Sequence, residues 1–169
     1  QDRVGQPRIT VVWNVAPWGD LSLEYLRLFG DVLAGGKPSR LYQRLIVKEQ
    51  LATDCRASLS RRELGSQFML NVTANPGADL AKIEAICDEE IHQLVTEGPR
   101  ADELERVKTQ ALSGFVRGLE RIGGFGGKSD TLAECQVYGG DPGIYKKRIG
   151  EVENATIAQV QGASRELAA

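Results

Sequence analysis

An α+β fold, an antiparallel sheet with helices packed on one face, is predicted by three observations. Every strand-like run lies before residue 75, and everything after Asp79 has helical spacing. Residues 66–74 alternate Phe68, Leu70 and Val72 with Gln67, Met69, Asn71 and Thr73, the period-two pattern of a sheet covered on one side. The third is segregation itself: strands followed by a block of helices make a layered fold rather than alternating βαβ units.

Taken in order, residues 8–16 (RITVVWNVA) are β-branched and aromatic between Pro7 and Pro17, which predicts a strand buried on much of both faces. Asp20 can cap a helix carrying Leu23, Leu26, Phe29, Val32 and Leu33 toward the core and stopping at Gly35-Gly36. Pro38 and Ser39 restart a helix, with Ser39 as a cap. Its apolar stripe is Leu41, Leu45 and Ile46, and Arg40, Arg44 and Lys48 face solvent. Residues 53–61 and 66–74 are adjacent strands joined by a short charged link, so they pair antiparallel. Asn75-Pro76-Gly77 breaks the second.

The helical block opens with Leu80, Ile83, Ile86, Cys87, Ile91 and Leu94 on one face, ended by Gly98-Pro99. Leu104, Val107, Ala111, Phe115 and Leu119 mark the next helix, whose first turn holds Asp102 and Glu103, where the helix dipole favours them. Past Gly123–Gly127 (GGFGG), residues 128–137 form a helix with Leu132 and Val137 inward. A turn at 139–142 precedes a brief helix over 144–149. Thr156 and Gln159 fit a capping box for the last helix.

Composition narrows the function. The 169 residues fit one domain, 1–169, large enough to build a core without staples. A formal charge of −2, from 21 basic and 23 acidic residues, supplies no general attraction to nucleic acid or anionic lipid. No apolar run approaches the roughly 20 residues of a membrane span. Cys55, Cys87 and Cys135 form no C-x-x-C pair and cannot all be joined within one chain, so free, buried thiols are expected. The opening QDRVGQPR has no apolar signal-peptide core, and both ends read as cut from a longer chain.

Local chemistry is sparse. The single histidine, His92, has Glu89 three residues before it, but a plain solvated helix face accounts for both, and no second histidine exists to complete a metal set. GGFGGKS resembles a phosphate loop only superficially, because G-x-x-x-x-G-K-[ST] requires glycine where Ile122 stands and the segment follows a helix. No Ser-His or Cys-His arrangement is suggested. These residues suggest no catalytic residue and no metal ligand set.

Longer segments say more. GGKPSRLYQRL followed by KEQLA, then RRELGSQF, EGPRADELERVK, RGLERIGGFGGKSD and YGGDPGIY, resemble in order the insulinase/pitrilysin-type zinc metallopeptidases, which include the mitochondrial processing peptidases. The resemblance spans nearly the whole chain. It implies a processing-peptidase-like (LuxS/MPP-like) metallohydrolase half-domain, and in particular a non-zinc domain of a longer bacterial member. The family's zinc motif, H-x-x-E-H, is absent from the chain. The substrate-gripping motif R-x-K-E-x-L-x-Y of its non-metal half-domains, aligned on Lys48-Glu49-Gln50-Leu51, puts Ile46 and Thr53 where the Arg and Tyr would be, so that role is expected to be lost. The resemblance thus implies a non-catalytic structural and substrate-chamber domain of a zinc metalloendopeptidase. Its zinc and its partner, the zinc-bearing domain, would lie elsewhere in the parent, and peptide substrate would be met through that parent. Self-association of the isolated piece is a further expectation. The alternative is a non-proteolytic interaction module of the same fold. The periplasm is suggested by the family, with the cytoplasm as the alternative.

Overall fold

The computed structural model describes residues 5–122 and 126–168. Three strands, β1 (Arg8–Val15), β2 (Ala52–Ser60) and β3 (Ser66–Ala74), form an antiparallel sheet in the order β1-β3-β2. The alternation read in β3 holds: Phe68, Leu70 and Val72 are buried, while Gln67 is exposed and Met69, Asn71 and Thr73 are half-covered. β1 departs from expectation. Only one face is covered, with Ile9, Val11, Trp13 and Val15 set opposite Val72, Leu70, Phe68 and Ser66, while Thr10, Val12 and Asn14 are exposed. The helices cover one side of the sheet, and an edge strand of valines can belong to a one-sided sheet as readily as to a buried one. In β2 the pairing passes from Ala52 opposite Ala74 to Asp54 opposite Thr73, leaving Thr53 as the extra residue of a bulge.

The helical layer comprises α1 (Ser22–Ala34), α2 (Leu80–Glu97), α3 (Ala101–Glu120), α4 (Lys128–Gly139), α5 (Ile144–Glu153) and α6 (Ile157–Ala163). α1 presses on the sheet through Phe29, edge-on to Phe68 at 6.2 Å, and Trp13 meets the same ring at 5.8 Å. Gly30 permits this approach, since a Cβ there would stand 3.0 Å from the Phe68 ring. Leu33, Leu41, Leu45, Ile83, Leu94, Val107 and Val160 join the same buried cluster. Each large aliphatic side chain so enclosed contributes about 1.5–3 kcal/mol.

Helix ends follow their chemistry. The Asp79 carboxylate accepts from the N–H groups of Ala81 and Lys82, and Thr156 with Gln159 forms the expected reciprocal box. Four readings need correction. Leu80, expected on the buried face of α2, is 39% exposed. Tyr42–Lys48 is a π-helix, closed by the Glu49 N–H donating to the Arg44 carbonyl five residues back. Val137 is 73% exposed, and Cys135 takes the inward place on α4. α5 continues to Glu153 and buries Val152. The Leu119 side chain and residues 123–125 lie outside what is described.

One buried carboxylate ties the late helices to the first. Glu24 of α1 is 3% exposed, accepts a 2.6 Å hydrogen bond from Arg148 Nε of α5, and sits 2.8 Å from Arg61 Nη2, in ionic contact rather than an aligned hydrogen bond. Arg148 also stacks over the Trp18 ring at 5.8 Å, and the Trp18 indole donates to Glu134 of α4. Next door, Tyr25 donates to Glu151 and accepts from Gln159 Nε2 at 2.9 Å. Burial, and then the Glu151 carboxylate, push the Tyr25 hydroxyl up to about 12, so it stays a neutral donor at neutral pH.

Gly98 ends α2 at φ 78° and ψ 175°, a region open essentially to glycine, and a Cβ there would meet Ile157 Cγ2 at 2.9 Å. Gly98→Ala is expected to destabilise the fold by about 1–3 kcal/mol, read as a lowered urea midpoint at unchanged slope.

Candidate functional site

The corner spanning residues 33–54 carries the positions on which a family role would rest. Ser39 is buried, and its hydroxyl donates to the Gly36 carbonyl at 2.6 Å, so it seals the turn instead of capping free N–H groups. Arg40 does not face solvent. It grips Glu103 of α3 with both fork positions, Nε to Oε1 at 3.0 Å and Nη2 to Oε2 at 2.8 Å. Arg44 likewise reaches Glu89 and, at 3.0 Å, Glu90 of α2. Among the three cations expected outside, Lys48 alone is exposed. The partners lie on helices that fold back across the corner, and a carboxylate offsets the cost of covering a guanidinium.

Burial pushes the Glu103 carboxyl up, but the Arg40 hydrogen bonds and the Arg100 N–H at 2.9 Å outweigh it, and the net shift is downward. A lowered carboxyl pKa contributes stability present above the unfolded-state value and lost as pH falls through the folded-state one.

Ile46 is half-buried against the core, and Thr53, exposed on the β2 bulge, donates its hydroxyl to the Thr73 carbonyl at 3.3 Å. The first presents no polar atom and the second is engaged with the sheet. His92 is exposed, and its neighbour Glu89 is bound to Arg44. Among the described residues no group of three or more His, Cys, Asp or Glu converges as a metal set, and no helix is long and apolar enough to cross a membrane. The three cysteines are buried and free; burial pushes Cys55 and Cys87 up to about 12, which leaves little thiolate at neutral pH.

Residues 123–125 of the glycine loop are not among the described residues. Beside them, the Gly126 N–H donates to the Asp130 carboxylate at 2.8 Å and the Thr131 hydroxyl to the Gly127 carbonyl. The Asp130 carboxylate thus takes up a loop N–H of the kind a phosphate would use. What sequence reasoning missed was Glu24: an acid among Leu23, Leu26 and Leu28 on the buried side of α1 is the signal that could have exposed the ion-pair cluster.

An antiparallel sheet backed on one side by helices, its corner arginines locked into carboxylates, makes a layered α+β domain. Over residues 1–111 the sequence matches the profile of the peptidase M16 inactive domain, and the chain belongs to that family. The same fold recurs in solved structures. A protease from Helicobacter pylori superposes with a TM-score of 0.84 at 16% identity, over 98% of this chain and 39% of that one. The inactive peptidase domain of a protein described as a zinc protease, from Bordetella parapertussis, gives 0.82 at 22%, over 95% and 85%. The periplasmic protease PqqL from Escherichia coli gives 0.75 at 13%, over 98% and 18%. The chain therefore spans about two fifths of the Helicobacter protease and most of the Bordetella domain. A search of curated proteins finds no match.

Proposed function

We propose that this domain is a non-catalytic wall of a peptide-cleaving chamber in a bacterial zinc metallopeptidase, partnered by a zinc-bearing domain of the same parent protein. The observation that carries the reading is the match of residues 1–111 to the peptidase M16 inactive domain. Ile46 and Thr53 support it, since neither offers the charged and phenolic groups a backbone grip on substrate would use. Zinc, in this reading, would be held by the partner domain and would supply Lewis-acid activation of water for peptide hydrolysis there. The likeness to PqqL favours the periplasm, and the burial of all three thiols shields them from an oxidising medium.

The test uses the purified chain and the separately expressed zinc-bearing domain of its parent, mixed across a concentration series and followed by light scattering. Expected is a one-to-one complex that cleaves an extended peptide faster than the zinc-bearing domain alone, with the gain abolished by chelator. A chain that ignores that domain overturns the wall role; self-association without such binding favours the non-proteolytic interaction module.

A further inference from the structure

Behind the Glu24 cluster, α1, α3, α4 and α5 leave a cleft of about 150 Å³. Its walls are apolar where Leu112, Phe115, Ile149 and Val152 line it, and Phe115 stacks on Tyr145 at 5.9 Å. A cavity of this size accepts a benzene-sized group. It opens onto a shallow apolar trough along Leu112, Phe115, Val116 and Ile149.

The charged residues lining the cleft balance in number, Glu24 and Glu134 against Arg27 and Arg148, but not in partners. Glu24 is held by Arg148 and by Arg61, which lies outside the lining, and Glu134 by the Trp18 indole and, at 3.8 Å, Arg148, so both acids and Arg148 are engaged. Arg27 is left over. It lines the cleft half-buried and, among the described residues, makes no hydrogen bond or ion pair. Asp31, one turn along α1, feels its charge from beyond contact and is shared with Arg106. Thr131, whose hydroxyl oxygen keeps lone pairs after donating to Gly127, adds a polar group to the lining.

We infer that this cleft is a binding site for the C-terminal residue of a peptide, its apolar or aromatic side chain between Phe115 and Ile149 and its carboxylate on Arg27. The unpaired Arg27 guanidinium selects the anion, and the 150 Å³ of apolar space selects a side chain the size of a phenyl or isobutyl group. The inference does not depend on the chamber-wall reading, because it rests on α1, α3, α4 and α5 alone.

The probe is N-acetyl-phenylalanine, titrated into the full chain and followed by amide and methyl chemical shifts. Saturable binding at about millimolar concentration is expected for a ligand of this size, with shifts centred on Leu112, Thr131 and Ile149. The carboxamide of the same compound should bind about tenfold more weakly, the loss of one charged hydrogen bond. Arg27→Gln should erase that difference between acid and amide, and Arg27→Lys should keep part of it. Equal binding of acid and amide to the unaltered chain, shifts centred elsewhere, or no saturation would each overturn the assignment, whatever the fate of the variants.

Discussion

Glu24→Ala should cost about 3–5 kcal/mol, because it removes the carboxylate shared by Arg61 and Arg148 and leaves two largely covered guanidinium groups beside each other. The estimate belongs to a buried group: Glu24 is 4% exposed at its side chain, against 17% for Arg61 and 20% for Arg148, so solvent screens the pair little. At 2–4 °C per kcal/mol for a domain of this size, the melting temperature should fall by roughly 6–20 °C. Differential scanning calorimetry checks it. Replacing all three residues with Met, Leu and Met should recover much of the loss, since a buried ion triad exchanged for apolar groups of similar volume is often neutral or better. A triple variant as unstable as the single one would show that the cluster's hydrogen bonds, and not its stranded charge, carry the effect.

Phe68→Ala should cost a comparable 3–5 kcal/mol for a different reason. The ring is fully buried at the centre of β3, between Trp13 of the edge strand and Phe29 of α1. Gly30 has no side chain with which to fill the gap, so the cavity cannot collapse without moving α1. Guanidinium denaturation should show a lowered midpoint, and Phe68→Leu should lose about half as much. If alanine and leucine cost the same, the sheet and helix close the space and the rigidity assumed for this contact is wrong.

How much of this was legible in the chain depends on how far each interaction reaches. The alternation of β3, the α2 stripe from Ile83 to Leu94, the Leu104, Val107 and Ala111 positions of α3 and the Thr156–Gln159 box depend on residues within a turn or two, and the structure bears them out, whereas Leu80, at the end of its stripe, is exposed. Arg40 and Arg44 were read as solvent-facing because their carboxylate partners lie 63 and 45 or 46 positions away. A helical wheel cannot see across that distance. The one-sidedness of β1 escaped for the same reason, since whether a valine-rich strand is covered is decided by neighbours outside it. The π-turn at Tyr42–Lys48 carries no strong compositional mark, so its spacing reads as an ordinary helix. Ile46 and Thr53 were locatable only through resemblance; nothing in their local spacing distinguishes a vacated functional position from a packing residue and a bulge.

The bond from Arg148 to Glu24 also orders events in time. At a synthesis rate of roughly 5–20 residues per second, the 124 positions between them take about 6–25 s to emerge. From Ala74 onward α1 exists with its carboxylate lacking its α5 partner, although every strand of the sheet it rests on has been made. The nascent chain thus passes through a stage in which its first half can assemble but cannot close. During that stage the apolar side of α1 awaiting α3, α5 and α6 is the surface a ribosome-bound chaperone would meet.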